Sequence, residues 1–286
     1  MFNRMATLLV LGILKLALAA TPNKLFPELR GRLAALWLDM MAVPLPAGGA
    51  TDTSFGMVRD FDDFVRVAID GTNLWNLNND AGGTAFAINA QHNGAVRGGV
   101  DTDDNDNTNM NGPVIWRADS GGPLVFEWRV SPITSVANGE TFVGGSDAVT
   151  DELPIQVSAA DVQTDAATDA AGFCYTGGGT ANWKACAVRA DASGTPVVCD
   201  NVFTDATGAS TAVTTPVVGR FQTLKVVINE DGDADFYING SWQARIDLAV
   251  TPTVLMNKYL AFLSGTTARS IDVDYAYVSA GRRPAT

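Results

Sequence analysis

The segment from Phe221 to Ile246, FQTLKVVINEDGDADFYINGSWQARI, constrains the fold of this 286-residue chain more than any other. Apolar Val226 and Ile228 alternate with polar neighbours before NEDGD, as in a half-buried strand. The dipeptide Asn239–Gly240 is the strongest short signal for a hairpin turn. The segment therefore predicts three short antiparallel strands joined by tight turns.

Other strand-like patterns occur along most of the chain. The run RSIDVDYAYV at 269–278 predicts a closing strand, with one face carrying Ile271, Val273, Tyr275 and Tyr277. Further candidates are DDFVRVAID, GTAFAINAQ, PVIWRA, PLVFEWRVSP, ETFVGGSDAV, GFCYTGGGTANWKACAVRAD and TPVVCDNVF, whereas GTNLWNLNNDAGG predicts a loop. About a dozen strands suffice for two packed antiparallel sheets with Greek-key connections. We therefore predict a mainly β, two-sheet sandwich over residues 61–286.

These strands carry a resemblance to a known fold. The order FQTLKVVI, DGDADFYING and DVDY resembles the concanavalin A-like, laminin-G-type jelly roll. The segments PLVFEWRVSP, FVGGSD and GFCY resemble, more narrowly, the jelly-roll domains of structural proteins in tailed-phage virions. The resemblance covers residues 112–279 and implies a jelly-roll fold and a structural role in a virion. The same sandwich also serves lectins, glucanases and adhesion modules.

The first 45 residues are apolar and helix-like. Residues 1–20 are similar to a secretory signal, with Arg4, an apolar run from Ala6 to Leu14 and small residues near Ala19, but Lys15 interrupts them. They are too short to span a membrane. The segment FPELRGRLAALWLDMMAVP predicts an amphipathic helix. We predict an α-helical arm at 1–45 that packs on other protein chains, or else folds back on its own sandwich, and a linker at 46–60.

The charge is divided unevenly between the arm and the rest of the chain. The first 50 residues carry a net charge of +3 and the remainder −15, which gives the total of −12. An acidic body repels phosphate, so we predict that the sandwich does not bind nucleic acid.

Three cysteines allow at most one intramolecular disulfide. Cys186 and Cys199 lie equally far from the middle of ADASGT, so a hairpin that turns there would place them opposite each other. A disulfide between them would add about 3 kcal/mol of stability. Two reduced, buried thiols are the other interpretation, because nothing fixes an oxidising compartment. We expect Cys174 to be a core residue.

The sequence offers no set of catalytic residues that matches a known arrangement. His92 is the only histidine and lies in a turn-like segment, where a solvated side chain is expected. The paired-glutamate motif that glucanases of this fold carry on one strand is absent, and the glycines at 177–179 are not followed by a phosphate-binding Lys. We therefore predict no enzymatic activity. Four tryptophans are expected in the core or at the sheet rim, in preference to the alternative of stacking on a sugar: Trp116, Trp128, Trp183 and Trp242.

One acidic segment, DTDDNDNTNMNG at 101–112, could bind a metal ion. Its oxygen ligands suit Ca²⁺, and they come from Asp101, Asp103, Asp104, Asn105, Asp106 and Asn107. The segment lacks the terminal Glu of an EF-hand loop. A solvated acidic turn is therefore the favoured interpretation, and we predict neither a cofactor nor a metal centre.

These expectations favour a non-enzymatic phage virion protein, a capsid decoration or cement protein on the capsid surface that is anchored through its N-terminal arm. Its predicted partners are the major capsid protein and its own copies in a homotrimer, with no membrane or nucleic acid. The alternatives are a secreted or surface carbohydrate-binding, lectin-like module that binds a glycan, and a tail or head-fibre adhesion protein.

Overall fold

The computed structural model describes residues 57–80, 82–89, 94–103, 106–134, 139–149, 153–157, 163–177, 182–190, 198–200 and 215–281. All of them belong to one unit, Gly56–Thr286. The predicted arm at 1–45 and His92 lie outside these residues, as do Asp104 and Asn105. Within the described part of the chain, no helix has the length and apolarity needed to span a bilayer.

The described residues form seventeen strands and no helix. The strands are β1 Met57–Asp62, β2 Asn76–Asn79, β3 Gly83–Ile88, β4 Val96–Val100, β5 Asn107–Asn111, β6 Leu124–Pro132, β7 Gly139–Ser146, β8 Ile155–Val157, β9 Gln163–Asp165, β10 Ala170–Thr176, β11 Lys184–Val188, β12 Val198–Asp200, β13 Gln222–Ile228, β14 Ala234–Ile238, β15 Ser241–Ile246, β16 Asn257–Ser264 and β17 Arg269–Gly281.

The strands build two antiparallel sheets and one short ribbon. The eight-stranded sheet has the order β15-β14-β13-β6-β17-β4-β3, and β1 pairs with the C-terminal half of β17 beside β4. The seven-stranded sheet has the order β12-β11-β10-β7-β16-β5-β2, and β8 pairs with β9. This confirms the predicted mainly β fold of two antiparallel sheets. The predicted three-strand segment is β13 to β15.

The main core lies between the two sheets. Alternation along each strand sends one set of side chains inward, and Phe173 of β10 meets Phe236 of β14 edge-to-face with ring centroids 5.5 Å apart. A second apolar cluster covers the outer face of the seven-stranded sheet, where Phe142 and Tyr259 pack with Ile155 of the β8–β9 ribbon and with Leu153 just before it. The seven-stranded sheet is therefore buried on both faces over its central strands.

The predicted strand at 62–70 is wrong. Strand β1 ends at Asp62 and begins at Met57, inside the segment predicted as a linker. The carboxylate of Asp62 accepts the backbone N–H of Phe64, and that of Asp63 accepts the N–H of Val65. Phe64 also has a positive φ of 54°. These turns, in which an Asp side chain binds the backbone two residues on, end the strand.

Several strands were not predicted. The predicted loop GTNLWNLNNDAGG contains β2, and the polar segment NTNMN forms β5. Strand β16 gives no alternating pattern because it is buried on both faces, with Leu260 in the main core and Tyr259 in the second cluster. The predicted strand PVIWRA makes only an isolated bridge, from Trp116 to Met256.

A bulge in β17 corrects the predicted face of the closing strand. Its register against β6 shifts between Val273 and Tyr275, so Asp274 is the extra residue. Val273 points into the core, but beyond the bulge the buried positions are Ala276 and Val278. Tyr275 and Tyr277 therefore lie on the outer face of the eight-stranded sheet, opposite to the side that simple alternation predicts.

Candidate functional site

The outer face of the eight-stranded sheet is open to solvent. On β13, the inward residues Leu224, Val226 and Ile228 are buried, while Thr223, Lys225 and Val227 between them are partly exposed. The same alternation runs through β14 and β6. Among the described residues, this face therefore presents a broad sheet surface rather than a closed cleft.

A row of aromatic side chains crosses this open face. Cross-strand pairs place Trp242 of β15 beside Tyr237 of β14, and Tyr237 beside Lys225 of β13. The row continues through Glu127 of β6 to β17 and β1. Its far end is a pair in which Phe61 of β1 lies opposite Tyr277 of β17. We call four residues the aromatic band: Phe61, Tyr237, Trp242 and Tyr277.

The residues at both ends of the aromatic band are strongly exposed. Trp242 and Phe61 are each 57% accessible to solvent. The indole N–H of Trp242 donates to Asp235 over 3.1 Å, which fixes the ring on the sheet. Phe61 packs against Tyr275 with ring centroids 5.6 Å apart. Burying such rings is normally favourable, so this face is a candidate contact surface.

Charged and hydroxyl groups fill the middle of the row. The ammonium of Lys225 lies 4.8 Å from the ring centroid of Tyr237, and the hydroxyl of Tyr275 donates to Glu127 over 2.7 Å. Arg129 pairs with Asp274 and lies over the ring of Phe221. Burial, together with the hydrogen bond to Glu127, raises the pKa of Tyr275 to about 12.

Three aspartates of the acidic segment form a separate cluster just before β5 of the other sheet. One carboxylate oxygen from each of Asp101, Asp103 and Asp106 lies within 4.8 Å of the others. Asp101 accepts the backbone N–H of Asp103 over 2.8 Å. The hydrogen bond with Asp101, followed by burial, raises the pKa of Asp106 to about 6.

Neighbouring groups hold this acidic cluster in place. Asp80 accepts both the backbone N–H and the side-chain amide of Asn107, at 2.7 and 3.0 Å. A Cβ added to Gly82 would lie 1.6 Å from Asp106 Oδ2, so a larger residue there would displace the Asp106 carboxylate. The oxygens are those that a hard cation takes, and the predicted acidic turn and its Ca²⁺ alternative both stay predictions.

Two buried cations serve the fold rather than an open site. Lys258 is 1% exposed, donates to Asp60 over 2.7 Å and lies 4.2 Å from the ring centroid of Trp75. Burial lowers its pKa. Arg269 donates to the backbone carbonyls of Glu140 and Leu263 over 3.1 and 3.0 Å. Each is bound by acceptors of the protein itself.

The remaining predicted residues have structural surroundings. Trp116, Trp128 and Trp183 are buried, as expected for core residues, whereas Trp242 lies exposed on the edge strand β15. Cys174 is buried in the second apolar cluster, which confirms its predicted place in a core. Cys186 of β11 lies directly opposite Cys199 of β12, so the predicted hairpin register is confirmed.

No protein-family model and no curated protein matches the chain. Solved structures match its fold. The carbohydrate recognition domain of Emp46p in its potassium-bound form aligns with a TM-score of 0.50 and 6% identity, over 78% of this chain and 96% of that one. A β-glucanase of Bacillus licheniformis gives a TM-score of 0.50 and 10% identity, over 79% and 98%.

A third structure comes from work on the endo-acting O-glycanases with which human gut bacteria initiate mucin breakdown. It aligns with a TM-score of 0.50 and 12% identity, over 78% of this chain and 99% of that one. At such identities the likeness concerns the fold alone. None of the three is a virion protein, so the predicted virion role, capsid partner and homotrimer gain no support from them. The chain shares the concanavalin A-like jelly-roll fold with lectin domains and glycanases.

Proposed function

We propose that this protein is a carbohydrate-binding module that holds its ligand on the aromatic band without cleaving it. The observation that carries the proposal is the exposure of Trp242 and Phe61 at the two ends of one ordered row across an open sheet. The sequence predicts this function as the alternative to the virion role. The proposal implies that the protein acts on a cell surface or after secretion.

The chemistry of the band suits a sugar. The faces of a pyranose ring carry C–H groups that pack on flat aromatic rings, and rigid Tyr and Trp side chains supply this area at low entropic cost. Sugar hydroxyls need donors and acceptors, which Lys225, Glu127 and the Tyr275 hydroxyl provide between the two aromatic ends.

The shared fold supports the proposal only in a general way, because one fold serves many functions. The Emp46p structure is a carbohydrate recognition domain, and the glucanase is an enzyme that cleaves a sugar polymer. The chain lacks the strand-borne paired-glutamate motif by which glucanases of this fold are recognised. We therefore propose binding without hydrolysis.

Affinity electrophoresis through gels that contain soluble polysaccharides tests the function. Barley β-glucan, xylan, galactomannan, alginate and pectin form a suitable panel. We expect at least one polymer to retard the protein, and Trp242→Ala to lose about tenfold or more in affinity, as at a typical binding hot spot. The control is Leu255→Ala, which removes an exposed apolar side chain just before β16 of the other sheet.

If the protein binds none of these polymers and no sugar on a glycan array, the proposal is contradicted. It is also contradicted if Trp242→Ala binds sugar as tightly as the unaltered protein. A reducing-sugar assay on the retarding polymer tests the absence of cleavage. Release of sugar at a rate above that of the buffer would show that the protein is an enzyme.

A further inference from the structure

We infer that the ligand is a neutral polysaccharide chain long enough to contact both ends of the aromatic band at once. This inference rests on the proposed function and adds the class of ligand. It follows from how the aromatic residues and the charges are distributed across the strands of the open face.

The aromatic residues form two separate pairs. Trp242 and Tyr237 occupy the neighbouring strands β15 and β14, and Tyr277 and Phe61 occupy β17 and β1. Strands β13 and β6 lie between the pairs and place Lys225 opposite Glu127. Neighbouring strands lie about 4.8 Å apart, so three steps separate Tyr237 from Tyr277 by about 14 Å.

This spacing decides the size of the ligand. A single sugar or a disaccharide can cover one aromatic pair, but it leaves the other pair exposed. A longer chain covers both pairs and brings its middle hydroxyls to Lys225 and Glu127. Contacts at the second pair then form within the same complex. They add affinity because the translational entropy of the ligand is lost only once.

The charges of the face indicate a neutral ligand. Arg245 binds Asp233, Asp235 and Asp247, at 2.6, 3.4 and 3.0 Å, and Arg129 binds Asp274. Around the band, the cations are matched or outnumbered by carboxylates: Arg59, Arg129, Lys225 and Arg245 against Glu127, Asp233, Asp235, Asp247 and Asp274. The whole chain carries a net charge of −12. A polyanion such as a uronate polymer would therefore be repelled.

Isothermal titration calorimetry with oligosaccharides tests the inference. The series runs from disaccharide to octasaccharide and is cut from whichever neutral polymer retards the protein. We expect affinity to rise by about tenfold or more along the series. Phe61→Leu removes the far ring but keeps apolar bulk, so it should weaken the octasaccharide and leave binding of the shortest active oligosaccharide at the Trp242 pair within about twofold.

Several results would overturn the inference while leaving the proposed function intact, provided that Trp242→Ala still loses binding. One is an octasaccharide that binds no tighter than the disaccharide. Another is an unchanged octasaccharide affinity in Phe61→Leu. A third is alginate or pectin binding as tightly as the neutral polymer. Complete absence of sugar binding would remove the proposed function itself.

Discussion

At the scale of the residue, two tryptophans of the same sheet differ in their exposure to solvent. Trp128 is fully buried in β6, donates to the carbonyl of Gly144 over 3.1 Å and has its ring 5.8 Å from that of Trp75. Trp242 makes one comparable hydrogen bond, to Asp235, but its ring faces solvent. One ring therefore contributes to stability and the other is available for contact.

This contrast gives a stability prediction. Trp128→Ala leaves a cavity and loses the hydrogen bond to Gly144, so we expect it to lower the free energy of unfolding by about 3–5 kcal/mol. Trp242→Ala should change it by no more than about 0.5 kcal/mol. Urea denaturation followed by circular dichroism measures both. A large loss of stability in Trp242→Ala would mean that the exposed ring is a structural one.

The acidic cluster gives a pH prediction. The pKa of Asp106 is raised from 3.8 to about 6, first by its hydrogen bond with Asp101. Between these values the unfolded chain releases a proton that the folded protein keeps, so this group makes stability fall as pH rises from 3.8 to about 6. Asp106→Asn removes the titrating carboxyl group and with it this loss of stability. We expect its melting temperature to exceed that of the unaltered protein above the window, in buffer with a chelator.

Melting curves across that window, taken as the difference between the two proteins, measure the effect. Parallel pH profiles would contradict the raised pKa of Asp106. The same experiment tests the sequence-derived Ca²⁺ alternative for residues 101–107. If added Ca²⁺ stabilises the unaltered protein and not Asp106→Asn, the cluster binds the ion.

At the scale of the element, glycine positions allow the two sheets to approach. Gly145 of β7 lies under the ring of Phe126 of β6, and an added Cβ would come 2.1 Å from that ring. We expect Gly145→Ala to destabilise the protein by about 1–3 kcal/mol through overpacking. Gly99→Ala on β4 is the control, since its Cβ would meet its nearest neighbours at 3.5 Å. Equal stability of the two variants would contradict the packing described here.

The bulge in β17 gives a second prediction for an element. Ala276 is fully buried beyond the bulge, whereas Tyr277 lies on the outer face. Ala276→Asp buries a charge without a partner and should cost several kcal/mol, about 3 or more. Tyr277→Asp should fold. If the strand alternated without a bulge, the order of the two variants in a denaturation series would be reversed.

The predictability of each strand from sequence follows from its surroundings. The hairpin at Asn239–Gly240 could be predicted because both residues adopt positive φ, 51° and 80°, as the Asn-Gly turn requires. Strand β16 could not, because burial on both faces removes alternation. The segment after Asp62 looked like a strand by its apolar residues, but the side chains of Asp62 and Asp63 bind the backbone and end it.

At the scale of the whole molecule, sheet order assembles the candidate site. Among the described strands, Phe61 lies on the first, Tyr237 and Trp242 on β14 and β15, and Tyr277 on the last. Only the pairing of β17 with both β1 and β6 brings them into one row. The sequence predicted the sandwich, but it could not predict this site, because side chains distant in sequence become neighbours only through the strand order and the bulge.

The central claim is that the outer face of the eight-stranded sheet binds sugar. Two-dimensional NMR of isotope-labelled protein, titrated with the oligosaccharide that binds most tightly, tests it directly. We predict that the indole N–H of Trp242 and the backbone amides of Tyr237, Lys225, Tyr277 and Phe61 shift with saturation. Shifts confined to the acidic cluster at Asp101–Asp106 or to the seven-stranded sheet would contradict the account.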